Sequence, residues 1–520
     1  RMLSRPAPTP SRFGVSCAAR APRKARTARA VARAMEARPP ADGDGGDAAP
    51  APPSSARFLS ATARAQMEKQ GASQVWAEVT ALARLPGVLD LGQGWPEMGA
   101  SELARAAASE AMLSDEHSNQ YSPSPGAPEL VNAIERYYRA TGSLPDDSVE
   151  REVLVTTSAT EALYVTLQAL CDPGDEVVFL EPFFPWYKSH ARIFGATPRT
   201  VRLREEGVAP NKRFRLRLDD LRDAFVAGAG KTKAFIHCNP HNPTGLMFSE
   251  TETQEIARLC AEFDVVIVAD EVYERCTFDE KTPMTRMADV DVAASTTEPG
   301  IATRARTLVV GTASKLLCLS GWRVGWVVGP KPLIAALKTI HAYSTFCAPT
   351  PLQLGVAAAL EKMADDADAA TRARATESAS RSPTTTDGTS HDVSGRREAA
   401  FACTRGRLVP DAVAEIIASN VAVMSRALTD SGVAPFAPSG GYFLVADVSD
   451  TGLDATEYCR ALATGPARVA AVPMDVFFDA EGPEKDVPRN LVRFAVCKSS
   501  ETIGKCAEAI RNNPVGAARK

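Results

Sequence analysis

The sequence predicts an α/β protein: a large domain with a mostly parallel central sheet sandwiched by helices, joined to a smaller α+β domain. Three observations predict it. From Val153 onward, short apolar runs alternate with segments of helical spacing, the rhythm of strands buried on both faces. Several runs end in polar or small residues, among them Thr156, Asp270 and Gly311, where open sheets place their ligands. Late in the chain the rhythm changes to the runs Gly441–Ala446 and Leu491–Val496 with a closing helix over Glu501–Arg511.

Taken in order, Gln66–Leu85 has helical spacing and stops at Pro86-Gly87. Val88–Leu91 reads as a short strand entering the Gly92-Gln93-Gly94 loop, and Pro128–Thr141 as an amphipathic helix stopped by Gly142. Strands follow at Val153–Thr156, Glu176–Leu180, Ala234–His237, Val265–Asp270, Thr307–Gly311 and Trp326–Gly329, with helices at Glu161–Leu170 and Glu250–Phe263. A helix from Pro349 is expected to fail after Met363, because Asp365–Arg397 is Asp/Ala-rich and then Thr, Ser, Gly and Arg, with little to bury. Asp289–Arg304 has the same character on a smaller scale, and a helical pattern resumes over Pro410–Leu428. The expected organisation is 1–56 targeting segment and linker, 57–110 N-terminal arm and part of the small domain, 111–364 large domain, 365–405 disordered insertion, and 406–520 C-terminal small domain.

The chain has 520 residues, 45% of them hydrophobic, a net charge of −4 and a pI near 6.0. That is material for more than one core, and no basic excess invites nucleic acid. The 11 cysteines are scattered without a CxxC pair, which argues against a disulfide framework or a metal site. No continuous apolar run reaches the roughly 18 residues of a membrane span, so none is expected. The first 40 residues hold nine arginines, one lysine and a single acid, Glu36, with no apolar core segment. This resembles an organelle transit peptide, plastid ahead of mitochondrion on its Ser/Pro/Ala bias; a basic tail on a cytoplasmic protein is the alternative.

The chemistry gathers around Lys315. Thr312 stands three residues before it and Arg323 eight residues after it. An amine flanked by a hydroxyl and an arginine fits a phosphate-bearing aldehyde: the amine forms a Schiff base and the other two hold phosphate. Pyridoxal 5'-phosphate needs both. Asp270, at a strand end, can pair with the pyridine nitrogen, or simply cap a helix. Tyr273 and Asn242, the latter within Asn239-Pro240-His241-Asn242-Pro243-Thr244-Gly245, can reach the ring's phenolic oxygen. Ser158-Ala159-Thr160 joins a strand to a helix and offers amides and hydroxyls to a phosphate. Phe184, in Glu181-Pro182-Phe183-Phe184-Pro185-Trp186-Tyr187, is placed to stack on the ring or to be core. Arg493, inside an apolar strand, requires an anion: a substrate carboxylate or an internal acid.

Together these motifs resemble the class I/II aminotransferases of fold type I, over roughly residues 60 to 515 apart from the two insertions. The resemblance implies that Lys315 is the Schiff-base lysine, Asp270 the pyridine-nitrogen acid, Tyr273 the phenolic-oxygen tyrosine and Arg323 the phosphate arginine. It implies that Asn242 binds cofactor and substrate and that Arg493 binds the carboxylate. Tyr121, in Asn119-Gln120-Tyr121, matches the tyrosine that reaches the phosphate of a neighbouring subunit, implying a homodimer. Leu91-Gly92-Gln93-Gly94-Trp95-Pro96, Glu181-Pro182-Phe183-Phe184 and Pro438-Ser439-Gly440-Gly441-Tyr442-Phe443 resemble the kynurenine aminotransferase, glutamine transaminase K and methionine aminotransferase branch. Gly94 and Trp95 then belong to the substrate pocket, with Trp95 where the branch usually has Phe.

The implied activity is pyridoxal-phosphate-dependent amino transfer from an L-amino acid to a 2-oxo acid by a ping-pong route, with small molecules as partners and neither nucleic acid nor membrane involved. Lys315 would move the α-proton. Elimination from a cysteine S-conjugate on the same scaffold is the competing activity, and a non-catalytic relative would have lost Lys315 or Asp270.

Overall fold

The computed structural model describes residues 58–68, 71–114, 116–143, 150–279, 282–290, 303–380, 409–484 and 486–516. The N-terminal targeting expectation lies outside them, as does most of the Asp289–Arg304 insertion.

Seven strands form the central sheet: β1 (Arg151–Thr156), β2 (Glu176–Glu181), β3 (Thr197–Arg202), β4 (Thr232–Cys238), β5 (Val266–Asp270), β6 (Thr307–Thr312) and β7 (Gly325–Pro330), in the order β1-β7-β6-β5-β4-β2-β3. All neighbours are parallel except at β7, which runs antiparallel to both β1 and β6. Side chains alternate across the sheet, as a period of two requires. Val153, Val155, Phe235, Ile267 and Val309 enter one core, while Leu154, Ala234, Ile236, Val268 and Leu308 enter the other. Both faces are covered, so the strands read as continuous apolar runs.

The orientation of β7 positions the site. Gly325, its first residue, pairs with both Thr156 at the end of β1 and Thr312 at the end of β6. The residues just before β7 therefore emerge at the same edge as the C-terminal ends of the other strands. This brings Arg323 to the edge that carries Ser158, Asp270 and Lys315.

Helices α1 (Glu102–Ser114) and α2 (Pro128–Ala140) pack against a long later helix, and α3 (Ser158–Leu170) covers the opposite face of the sheet. That long helix, α4 (Thr350–Ser380), corrects the sequence reading: it does not fail after Met363. Met363, Ala364 and Ala367 are buried, and Arg136 from α2 forms ion pairs with Glu361, Asp365 and Asp368. The acids that looked like solvated insertion carry one stripe of a packed helix. Residues 381–408 lie outside the described set.

A second sheet, wholly antiparallel, contains β8 (Ala434–Pro435), β9 (Phe443–Asp447), β10 (Val472–Pro473) and β11 (Leu491–Ala495) in the order β8-β9-β11-β10. Helices α5 (Val409–Asp430) and α6 (Ser500–Asn512) pack with it; Leu89–Asp90 forms a separate parallel pair with Val469–Ala470, and Ala495 N of β11 donates to the Leu91 carbonyl at 2.7 Å, tying the Gly92–Trp95 loop to this sheet. Within α5, Ala412–Asp430 is long and apolar enough by composition to cross a membrane, which the sequence reading did not anticipate. In this fold its Ile417, Met424, Ala427 and Leu428 are core.

Candidate active site

A cleft of about 420 Å3 opens at the C-terminal edge of the large sheet and is closed on one side by the small sheet and the Gly92–Trp95 loop. It collects nearly every residue singled out above: Gly94, Trp95, Ser158, Ala159, Thr160, Phe184, Asn242, Asp270, Tyr273, Thr312, Lys315, Arg323 and Arg493. Tyr121 is the exception. Its ring is 83% exposed, away from the cleft, and meets Phe346 edge-on at 5.5 Å.

Lys315 follows β6 on a short helical turn, Ala313–Leu316, capped by the Thr312 hydroxyl, which accepts from Ser314 N at 3.2 Å. The same hydroxyl lies 3.0 Å from the Val324 carbonyl, binding the lysine turn to the entrance of β7. The lysine amine donates to the Gly94 carbonyl at 2.6 Å, and Tyr442 donates its hydroxyl to the Lys315 carbonyl at 2.9 Å. Removal from water, reinforced by the nearby Arg493 and Arg323, lowers the amine from its ordinary value to about 8. At that value a usable fraction is the neutral nucleophile near neutrality.

Asp270 ends β5. Burial pushes its carboxyl up to about 6, against hydrogen bonds from the Tyr187 hydroxyl and the Val272 amide that hold it down. The Tyr187 hydroxyl donates to Oδ2. Oδ1 is buried and has no hydrogen-bond partner among the described residues. A buried carboxylate oxygen without a donor is costly unless a ligand completes it, and a protonated pyridine nitrogen is such a donor. Tyr273 lies under the same wall, its ring 5.8 Å from the Lys315 amine and 5.1 Å from Tyr442, and burial keeps its phenol protonated.

The β1–α3 junction has the shape of an anion cradle. Ser158 takes a left-handed conformation, φ 82°, which lets the chain turn sharply into the helix. Gly325 lies so close that a Cβ there would sit 2.5 Å from Ala159 N, so only glycine lets β7 approach. Arg323, also left-handed at φ 55°, is exposed and donates to the Ser320 carbonyl at 3.0 Å, leaving most of its guanidinium donors without a partner among the described residues and available to a phosphate in the cleft. Phe184 is half-buried on the cleft wall and stacked on Trp186 at 4.7 Å, whereas its neighbour Phe183 is the core residue.

Arg493 projects from β11 toward the large sheet. It is 3% exposed, donates to Asn242 Oδ1 at 3.2 Å and to the Gly92 carbonyl at 3.1 Å, and lies 3.9 Å over the Phe443 ring. No carboxylate among the described residues forms an ion pair with it, and its Nε is unpartnered, so the internal-acid alternative finds no acid. Burial lowers it to about 10. The arrangement is a guanidinium lacking an anion at the mouth of a cleft. Gly94 is likewise enforced, because a Cβ there would lie 2.6 Å from Phe443 Cζ.

Sequence reasoning missed three contributors. Trp76 lines the cleft, its buried indole N–H without a partner among the described residues and its ring centroid 5.4 Å from the Arg493 guanidinium. Phe443 is visible in the sequence only as part of the Gly440-Gly441-Tyr442-Phe443 run, and Tyr187 only as one of several neighbouring aromatics. None carries a local signal; each arrives from a different element. The pyridoxal phosphate expected from the sequence fits this donor set: Asp270 Oδ1 for a ring N–H, the Ser158–Thr160 cradle with Arg323 for phosphate, and Lys315 for the aldehyde.

Comparison with known proteins agrees with the geometry. The family model "Aminotransferase class I and II" matches residues 86–389. The Mycobacterium tuberculosis "Probable N-succinyldiaminopimelate aminotransferase" is 34% identical over 453 residues, covering 86% of this chain and 97% of that one. Human "Kynurenine--oxoglutarate transaminase 3" is 30% identical over 460 residues, covering 84% and 88%. The solved structure of N-succinyldiaminopimelate aminotransferase from Mycobacterium tuberculosis superposes with a TM-score of 0.66 at 31% identity, over 84% of this chain and 96% of that one.

Proposed function

Because this chain belongs to the class I and II aminotransferases, enzymes that depend on pyridoxal phosphate, we propose that it moves the amino group of an L-amino acid with an apolar, aromatic, kynurenine-type or glutamine-type side chain to a 2-oxo acid in two half-reactions. The observation that carries this reading is the convergence of Lys315, Asp270 and Arg493 on one cleft, with Asp270 Oδ1 and Arg493 Nε both unpartnered among the described residues.

When bound, the cofactor supplies an aldehyde that condenses with amines and a ring that accepts the electron pair released at the amino acid's α-carbon. Arg493 and Asn242 orient the substrate by its α-carboxylate. This fixes which bond at the α-carbon faces Lys315. The neutral Lys315 amine takes the α-proton and carries it across the cleft. Asp270 holds a proton on the ring nitrogen, and Tyr273 and Asn242 offer hydrogen bonds to the ring oxygen. Trp76, Trp95, Phe184 and Phe443 exclude water and meet the side chain.

Initial rates at varied donor and acceptor test this. Parallel double-reciprocal lines, with phenylalanine, methionine, glutamine or kynurenine as donor, support the reading. Pyruvate and ammonia from a cysteine S-conjugate without added oxo acid would support elimination instead. The name of the 34%-identical relative puts N-succinyldiaminopimelate on the donor panel as well. We further propose a homodimer. Tyr121, Phe346, Tyr343 and Leu113 are exposed apolar or aromatic side chains on one protomer, and a second copy would cover them and bring Tyr121 to its partner's cleft. The basic N-terminal segment fits import into an organelle, plastid before mitochondrion, which a fluorescent fusion reads directly.

A further inference from the structure

We propose that Tyr187 is a positioning residue for this reaction: its hydroxyl grips one oxygen of Asp270, keeps that carboxylate ionised and turns the other oxygen toward the cleft. The proposal rests on the reading of Asp270 as the partner of the cofactor's ring nitrogen. Tyr187 stands on the helix Trp186–Ile193 that follows β2, two strands away from β5 in the sheet order. Its ring is fully buried, and edge contacts with Phe179 at 5.9 Å and Phe184 at 5.7 Å fix the direction of the hydroxyl. That hydroxyl donates to Asp270 Oδ2, while Oδ1 has no hydrogen-bond partner among the described residues and Asp270 lines the cleft. The two oxygens thus have separate tasks.

The groups around the carboxylate make the hydroxyl matter. β4 places Cys238 at the register position paired with Asp270, and the thiol is kept neutral by burial. The turn after β5 brings the neutral phenol of Tyr273 and the Val272 amide, and β6 brings the apolar Val310. Lys315, Arg323 and Arg493 line the same cleft, but none bonds to Asp270 among the described residues. In such surroundings a carboxylate takes up a proton unless donors hold it ionised, and a protonated Asp270 cannot hold a pyridinium. Tyr187 and the Val272 amide are its donors, and Tyr187 is the one that a side-chain change removes.

The test is the affinity of apoprotein for pyridoxamine 5'-phosphate, which makes no covalent bond to Lys315, measured from pH 6 to 9 for the wild type, Tyr187→Phe and Asp270→Asn. Tyr187→Phe keeps the ring and its packing. Loss of the donor makes Asp270 easier to protonate, by about tenfold in its protonation equilibrium. The variant therefore binds about fivefold more weakly near pH 6, about threefold near pH 6.5, and approaches wild type within about twofold at pH 9, where both carboxylates are ionised. A weakening that is equal at every pH, or none at all, overturns the proposal while leaving Asp270 in its role. An Asp270→Asn protein with wild-type affinity overturns the Asp270 reading itself.

Discussion

Replacing Arg493 with methionine separates a substrate hook from a structural ion pair. The folded state holds this guanidinium 3% exposed, with its titration lowered from 12.5 to about 10. Because the shift is downward in a base, the charged form costs folding free energy at every pH below about 10, roughly 3 kcal/mol as an order of magnitude. Against that stand two hydrogen bonds to neutral acceptors, Asn242 Oδ1 and the Gly92 carbonyl, and a desolvated contact over Phe443, together about 3 to 4 kcal/mol. The terms nearly cancel. Arg493→Met in the apoprotein should therefore change unfolding free energy by no more than about 1 kcal/mol in denaturant titration. Had Arg493 been half of an internal salt bridge, its loss would cost about 3 to 5 kcal/mol. Activity should move the other way: losing a bidentate charge-assisted pair with the α-carboxylate should lower kcat/KM by about 100-fold or more, with cofactor affinity little altered. A strongly destabilised variant, or one with kcat/KM within about threefold of wild type, would refute the argument.

Other consequences can be checked separately. Capture of pyridoxal phosphate by the apoprotein should accelerate with rising pH and level off above about 8, because burial lowers Lys315 to that value and only the neutral amine attacks; an inflection near 10 would contradict it. Lys315→Ala should abolish amino transfer while still binding the cofactor noncovalently, read by equilibrium dialysis. Gly325→Ala places a methyl 2.5 Å from Ala159 N and should weaken cofactor binding by about tenfold or more, seen in apoprotein titration. Burial lowers His237 from 6.5 to about 3, so the unfolded chain binds the extra proton. Its stability contribution is complete above about 6.5 and is lost as pH falls toward 3, and His237→Leu should flatten that part of the acid unfolding curve.

The site was legible where its chemistry is written in local spacing. The eight-residue spacing from Lys315 to Arg323 lies within the turn between β6 and β7, whose paired ends at Thr312 and Gly325 bring both groups to one edge. Asp270 was legible because an apolar run ends on it. The strand Thr197–Arg202 escaped notice because it is a polar edge strand, its Arg199 and Arg202 paired with Glu176 and Glu181 of β2. The continuation of α4 to Ser380 was hidden for a related reason: the cation that neutralises its acids, Arg136, lies more than 200 residues earlier. Tyr187 and Trp76 could not be assigned from sequence because their roles depend on a single atom meeting a group on another element.

The most direct test of the central claim is a single half-reaction. Purified protein loaded with cofactor is mixed with one amino acid at a time, without oxo acid, and the cofactor's absorbance is followed alongside the product. Conversion to the pyridoxamine form with one equivalent of 2-oxo acid per active site, and no turnover beyond it, is the expected result. Continuous release of pyruvate from a β-substituted donor, with no donor giving that single-equivalent conversion, would contradict it.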